Sequence, residues 1–319
     1  MAVYTEIGDE ELAAFLAAYD IGGALSLKGI AEGVENSNYF LATERGRYIL
    51  TLYEKRVAEG DLPFFLGLLD HLAARGVNCP RPVHGRDGAI VRRLAGRPAA
   101  IQSFLDGVSP KRPGAAHCAE AGATSARLHH AATGFALSRP NALSLEGWAK
   151  LAAATQAGAD GVQGGLRQAI AAELAHLTAF WPKGLPAGVI HADMFPDNTL
   201  FVGERLTGVI DFYFACNDSY AYDVAVNLNA WCFEPDGSFN LTKGRAFLHG
   251  YEAVRKLSQA ERDALPLLAR GAALRFLLTR LYDWINRDPA ALVRPKDPLQ
   301  CAGWLRFHQH VEGAGDYGL

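Results

Sequence analysis

One stretch of this sequence sets several reactive side chains at short spacing. It reads Val189-Ile190-His191-Ala192-Asp193-Met194-Phe195-Pro196-Asp197-Asn198-Thr199-Leu200-Phe201-Val202 and runs on through Gly203-Glu204-Arg205 to Val209-Ile210-Asp211-Phe212. Residues 199–202 and 206–210 are short apolar runs around a three-residue turn, which is a β-hairpin signal. A hairpin returns its second strand beside its first, so Asn198 at the entrance and Asp211 at the exit are expected to converge. Asp193 precedes Asn198 on a loop tightened by Pro196. An Asn oxygen and an Asp carboxylate suit a hard cation such as Mg²⁺, which takes one or two protein oxygens and completes its shell with phosphate and water. A further carboxylate at Asp193 can accept the proton of a hydroxyl that attacks phosphorus. Metal, positioning and a base are what phosphoryl transfer asks of a protein. A lone His-x-Asp is common, and such residues also serve as loop partners or turn caps. The loop, the hairpin and the second Asp together make the pattern specific.

The elements around this stretch divide the chain. A short amphipathic helix is expected over residues 9–19, followed by strands over 24–30, 37–42 and 47–53. A Gly33-centred turn joins the first pair of strands and Glu44-Arg45-Gly46 the second. Asp61 is a candidate helix N-cap with Pro63 in the first turn; Leu62, Phe65, Leu66, Leu69 and Leu72 follow at helical spacing, and Gly76 closes the helix. Strands over 89–94 and 99–105 are joined by Ala95-Gly96-Arg97-Pro98. Beyond Asp106-Gly107, alanine-rich helical periodicity covers 115–132, 144–156, 166–181, 220–232 and 260–287, with the glycine-rich 158–165 read as a loop. The expected organisation is an N-terminal β-rich lobe over 1–105 and a larger, mainly helical lobe over 106–319.

Composition narrows the class. With 31 Lys and Arg against 34 Asp and Glu, the formal charge is −3 over 319 residues, so there is no general pull toward nucleic acid or an anionic membrane. Cys79, Cys118, Cys216, Cys232 and Cys301 show no zinc or redox spacing and are read as reduced thiols. The acidic N-terminus carries no signal-peptide pattern, and no apolar run is long enough to span a membrane. A cytoplasmic protein acting on a small molecule, with no nucleic-acid or membrane partner, is expected; its oligomeric state stays open.

The His-x-Asp, four residues, Asn, then Asp-Phe pattern resembles the catalytic segment of the aminoglycoside phosphotransferase and choline kinase superfamily, relatives of the protein kinases. Over most of its length the chain is similar to the bacterial homoserine kinases of this fold. The likeness is carried by Gly33-Val34-Glu35-Asn36-Ser37-Asn38-Tyr39, Tyr48-Ile49-Leu50-Thr51-Leu52-Tyr53-Glu54-Lys55-Arg56, Leu62-Pro63-Phe64-Phe65, His191–Asn198, Ile210-Asp211-Phe212-Tyr213 and Leu274-Arg275-Phe276-Leu277-Leu278-Thr279-Arg280-Leu281-Tyr282-Asp283-Trp284. The resemblance implies an α+β, bilobal protein-kinase-like fold, with a small antiparallel β-sheet lobe carrying a helix and a larger helical lobe. It implies ATP and Mg²⁺ as cofactors, homoserine as the hydroxyl acceptor and a place in threonine biosynthesis. Asp193 would be the catalytic base, His191 a brace, and Asn198 and Asp211 the metal ligands. Gly33, Asn36, Ser37 and Asn38 would lie over the ATP phosphates, a turn that could equally be a plain hairpin connection. Ser103 and Leu105 would offer backbone hydrogen bonds to adenine.

The pattern departs from the resemblance at one point. Kinases of this shape carry a cation on the third strand, and Thr51 occupies that position. Lys55 could supply the charge from the same strand face, or be a solvated residue at the strand end; Glu59 or Asp61 would be its acidic partner. For an amino-acid substrate, Arg275 and Arg280 offer cations to a carboxylate, although Arg280 could instead pair with Asp283 along its helix. Asp218 and Tyr220 follow Asp211 closely and are further substrate-side candidates, with Asp218 doubling as a helix cap. Trp231, Tyr282 and Trp284 read as core. Two alternatives remain at this level: a kinase for another alcohol, such as an aminoglycoside or choline, and a nucleotide-binding regulator without turnover.

Overall fold

A computed structural model describes residues 5–30, 36–54, 57–287 and 295–319 of the chain. The chain separates into two compact units, Met1–Gly107 with Thr207–Tyr213, and Val108–Leu206 with Phe214–Leu319.

In the first unit, alternating apolar residues produce an antiparallel sheet of β1 (Ala24–Gly29), β2 (Ser37–Thr43), β3 (Gly46–Leu52), β4 (Arg92–Leu94) and β5 (Arg97–Ser103), ordered β1-β2-β3-β5-β4. Tyr39, Leu41, Leu50, Leu52 and Ile101 of the sheet form one buried cluster with Leu12, Phe15, Leu16 and Tyr19, contributed by α1 (Asp9–Leu16) and the turn after it. The period of two along each strand and the helical spacing of the α1 side chains put both apolar faces against each other. The β4–β5 connection is tighter than expected: Ala95 and Gly96, both at positive φ, make the whole turn, so Arg97 and Pro98 belong to the strand and β4 shrinks to three residues. Helix α2 (Leu62–Ala74) has Pro63 in its first turn as expected, but Asp61 ends a 3-10 turn with helical dihedrals, and its side chain makes no capping hydrogen bond.

The second unit is mainly helical: α3 (Ala115–Ala131), α4 (Leu145–Val162), α5 (Leu166–Phe180), α6 (Tyr220–Trp231), α7 (Leu241–Val254), α8 (Gln259–Ile285) and α9 (Pro298–His308). Strands β6 (Ala187–Ile190) and β9 (Cys216–Ser219) pair antiparallel. Strands β7 (Thr199–Val202) and β8 (Arg205–Val209) form the hairpin, whose turn is the two residues Gly203-Glu204. Residues 158–162, read as loop, continue α4, because Gly158 lies against Ile285 of α8: a Cβ there would sit 2.7 Å from the Ile285 Cδ1. That glycine permits close helix packing and does not break the helix. Among the described residues no helix is long and apolar enough to cross a membrane. The five cysteines are buried and form no disulfide among the described residues.

Candidate active site

The His191–Asn198 segment leaves β6 and is held by side chains from α6 and α8. Asp223 on α6 is almost fully buried and accepts the backbone N–H of Ala192 at 2.8 Å and of His191 at 3.3 Å. The two bonds seize consecutive amides, and Ala192, which carries the second of them, is held at φ 61°, a left-handed conformation that an L side chain keeps only when its surroundings enforce it. Its carbonyl accepts from Nη1 of Arg275. Trp231 donates its indole N–H to Met194 O at 2.7 Å, and the Phe195 ring meets Phe276 edge-on.

These braces aim Asp193. Its backbone N–H donates to Nδ1 of the buried His191 at 3.2 Å. Asn198 donates its amide to the Asp193 carbonyl at 2.8 Å and to its Oδ2 at 3.0 Å, while Arg275 Nη2 stands 3.8 Å from Oδ1. The Asp193 side chain keeps 18% exposure. Because the Asn198 nitrogen is fixed on Asp193, its oxygen is the free end of the amide and accepts no hydrogen bond among the described residues. That orientation fits a metal ligand, since only the oxygen can coordinate a hard cation. Asp211, leaving β8, has φ 62°. Three non-glycine residues have positive φ among the described residues, and two of them are Ala192, next to the candidate base Asp193, and the candidate metal ligand Asp211. Asp197 turns elsewhere, pairing with Lys296 at 2.6 Å.

Burial alone would raise the Asp223 carboxyl, but the hydrogen bonds from His129 and the Ala192 N–H outweigh it and hold its pKa below the usual 3.8. A carboxylate depressed on folding adds stability above its unfolded pKa and loses it as pH falls through the lower folded value. The urea-midpoint gap between the unaltered protein and Asp223→Asn is therefore expected to be constant near neutrality and to narrow once pH drops below about 3.8. A gap that stays constant down to about pH 2 would contradict this assignment.

The nucleotide-side candidates are largely tied into the sheet. Asn36 Oδ1 accepts Glu54 N–H, the Ser37 hydroxyl donates to Glu54 Oε1 at 2.8 Å, and Asn38 Oδ1 accepts from the Thr51 hydroxyl at 2.8 Å. Thr51 is thus a buried strand partner, and the acidic Glu54 beside it pairs with Arg97 at 3.2 Å. Gly33 and Lys55 lie outside the described residues. Glu59, considered as a partner for Lys55, instead pairs with Arg93 at 2.8 Å. Ser103 donates its N–H to Arg81 O and accepts from Arg81 N–H through its hydroxyl. Leu105 N–H meets no acceptor among the described residues. Just past Asp211, Tyr213 packs edge-on against Tyr53 and Phe65.

The substrate-side candidates separate. Arg275 is buried to 2% exposure between the rings of Phe214 and Phe276 and serves the catalytic loop. Arg280 bonds Gln300 at 2.8 Å and Asp297 O, and lies over Trp304, so its partners are on and beside α9 and not Asp283. Asp218 accepts from Asn141 at 2.7 Å, and Tyr220 stacks on His129 with its hydroxyl beside Gly188. Ser219, not Asp218, caps α6. Two braces have no signal in the sequence: the grip of Asp223 on the loop amides, and the indole N–H bond of Trp231, which is buried in the core as expected. His129 was also missed, yet it falls on the buried stripe Cys118, Gly122, Ser125, His129 of α3, where a polar ring demands a partner.

The comparisons with known proteins agree with this geometry. Residues 26–257 match the model of a phosphotransferase enzyme family. A homoserine kinase of Xanthobacter autotrophicus is 65% identical over 319 residues, covering 100% of this chain and 99% of that protein. A homoserine kinase of Bradyrhizobium diazoefficiens is 63% identical, covering 100% and 98%. Among solved structures, an amicoumacin kinase in complex with AMP-PNP, Ca²⁺ and Ami superposes with a TM-score of 0.67 at 15% identity, over 94% of this chain and 92% of that one, and shows the shared protein-kinase-like fold. The chain belongs to the phosphotransferase enzyme family, within its homoserine kinase group.

Proposed function

We propose that the chain transfers the γ-phosphoryl group of ATP to the side-chain hydroxyl of L-homoserine, forming O-phospho-L-homoserine and ADP, a step of threonine biosynthesis in the cytoplasm. The observation that carries this reading is Asp193, a partly exposed carboxylate aimed by Asn198, His191 and Arg275 from a loop locked by Asp223. Asp193 orients the substrate hydroxyl and takes its proton as the oxygen attacks the γ-phosphorus; the new O–P bond forms as the bond to the β–γ bridging oxygen breaks. Asn198 Oδ1 and the Asp211 carboxylate would hold Mg²⁺, which when bound neutralises phosphate charge. His191 accepts the Asp193 N–H and keeps the base from swinging.

Gly33, Asn36, Ser37 and Asn38 form the proposed phosphate-side turn, with Lys55 as the inner-phosphate cation in place of a strand residue. The Ser103 carbonyl and Leu105 N–H are the proposed adenine contacts. On the acceptor side, Arg280 is the cation proposed for the α-carboxylate and Asp218 with Tyr220 the acceptors for the ammonium, since Arg275 is committed to Ala192 and Asp193.

A coupled ADP-release assay tests the reading. Homoserine is expected to stimulate Mg²⁺-dependent ADP release, and a chelator to abolish it. Turnover of choline or an aminoglycoside without turnover of homoserine would overturn the acceptor. Nucleotide binding without release of ADP in the presence of any amino alcohol would favour the regulator instead.

A further inference from the structure

Asp223 does not hold the catalytic loop unaided. Its Oδ2 accepts from Nε2 of His129 at 2.8 Å, and both side chains are almost wholly buried. Nδ1 of the same imidazole is 2.9 Å from the Tyr251 hydroxyl, and Arg255 Nη1 donates to that hydroxyl oxygen at 3.2 Å. Arg255 is in turn anchored by Glu261 at 2.8 Å, within the Ser258–Glu261 capping box that starts α8. The chain of contacts joins α3, α7, α8 and α6 to the loop that carries Asp193.

Its direction follows from donor chemistry. A guanidinium can only donate, so the Tyr251 oxygen accepts from Arg255 and its proton is turned toward His129 Nδ1. Burial raises the Tyr251 phenol far above its ordinary pKa, against the opposing pull of Arg255, so that proton stays in place. With Nδ1 accepting, the ring proton of His129 sits on Nε2, directed at Asp223. Every donor thus faces the same way, from Arg255 through Tyr251 and His129 to the carboxylate that grips Ala192 and His191.

We propose that His129, with its tautomer set by Tyr251 and Arg255, is a positioning residue for phosphoryl transfer: it fixes the Asp223 carboxylate, which holds the loop in the strained form that aims Asp193. The proposal rests on Asp193 being the base. With that donor lost, a buried carboxylate oxygen is left underpaired and the Asp223 side chain is free to rotate away from the two amides.

Two substitutions of nearly equal size separate this role from simple packing. The Gln side-chain nitrogen occupies the place of imidazole Nε2, so His129→Gln keeps the donor to Asp223. The Asn nitrogen occupies the place of Nδ1, so His129→Asn keeps a polar group at Tyr251 and leaves Asp223 without its donor. Measured in the ADP-release assay, His129→Asn is expected to lower kcat on the order of tenfold to a hundredfold with little change in KM for ATP or homoserine, and His129→Gln to recover most of it. Tyr251→Phe, which removes one hydroxyl and keeps the ring, is expected to lower kcat in the same sense and by less. Equal losses in His129→Asn and His129→Gln, or full activity in His129→Asn, would overturn the proposal. If His129→Asn does not fold, Tyr251→Phe decides: unchanged kcat overturns it. Asp193→Asn in the same series keeps the two ideas apart. An inactive Asp193→Asn beside a fully active His129→Asn removes the positioning role alone, whereas an active Asp193→Asn removes the base on which it rests.

Discussion

Asp193→Asn is expected to lower kcat by on the order of a thousandfold while KM for ATP stays near the unaltered value, because the change removes a proton acceptor without moving the loop. The Asn oxygen can still accept from Asn198, and the backbone bonds from Phe195 and to His191 do not involve the side chain at all. Asp223, Trp231 and the Arg275 bond to Ala192 are likewise untouched. The stability change should therefore stay within about 1 kcal/mol, the scale of a partly exposed ion pair. A variant that retains full turnover would assign the base to another group. A variant that loses turnover together with most of its thermal stability would mean that the side chain works as a structural tie.

Why this much was legible in the sequence, and no more, follows from the range over which each signal acts. The catalytic loop and hairpin are local: apolar runs, Pro196 and a two-residue turn lie within a few positions of one another, and the fold preserves them with only a one-residue shift of β8. The strands of the first unit carry period-two burial and were visible for the same reason; β2 alternates buried and half-buried residues without a break. Helices α7 and α9 were not seen. Gly250 on α7 and Gly122 on α3 are there so that the helix backbones can touch, with a Cβ at Gly250 falling 2.1 Å from Ala119 O and one at Gly122 falling 2.0 Å from Phe247 O. In a single sequence such glycines weaken the helical signal, and their purpose appears only with the partner helix. The same limit hid the braces. Asp223, His129, Trp231 and Arg275 act on the catalytic loop across separations of 31 to 83 residues, except His129, which acts through Asp223 over 94. Residue type gives no hint of that reach. The sequence shows the charge of Arg275 and not its burial, so its residue type alone points to a substrate carboxylate.

Arg275→Met supplies the second large effect. Methionine fills much of the apolar space between Phe214 and Phe276 and removes the charge, so the loss isolates the polar role of the guanidinium. Without Nη1, the Ala192 carbonyl loses its buried donor, and Ala192 is the residue already held at φ 61°. Without Nη2, Asp193 loses the guanidinium that stands 3.8 Å from its Oδ1, so the carboxylate is freer to turn off the line of attack. A charge-assisted bond in a buried site contributes about 1.5–3 kcal/mol, and the urea-derived stability of Arg275→Met is expected to fall by that amount. Activity is expected to fall further than stability explains, with kcat down roughly tenfold to a hundredfold at temperatures where the variant is fully folded. Arg275→Lys is the control: an ammonium keeps the charge but cannot reach Ala192 and Asp193 together as a planar fork does, so it should restore only part of the rate. If KM for homoserine rises steeply in Arg275→Met while kcat holds, the guanidinium serves the substrate carboxylate after all, and the loop depends on Asp223 and Trp231 for its shape.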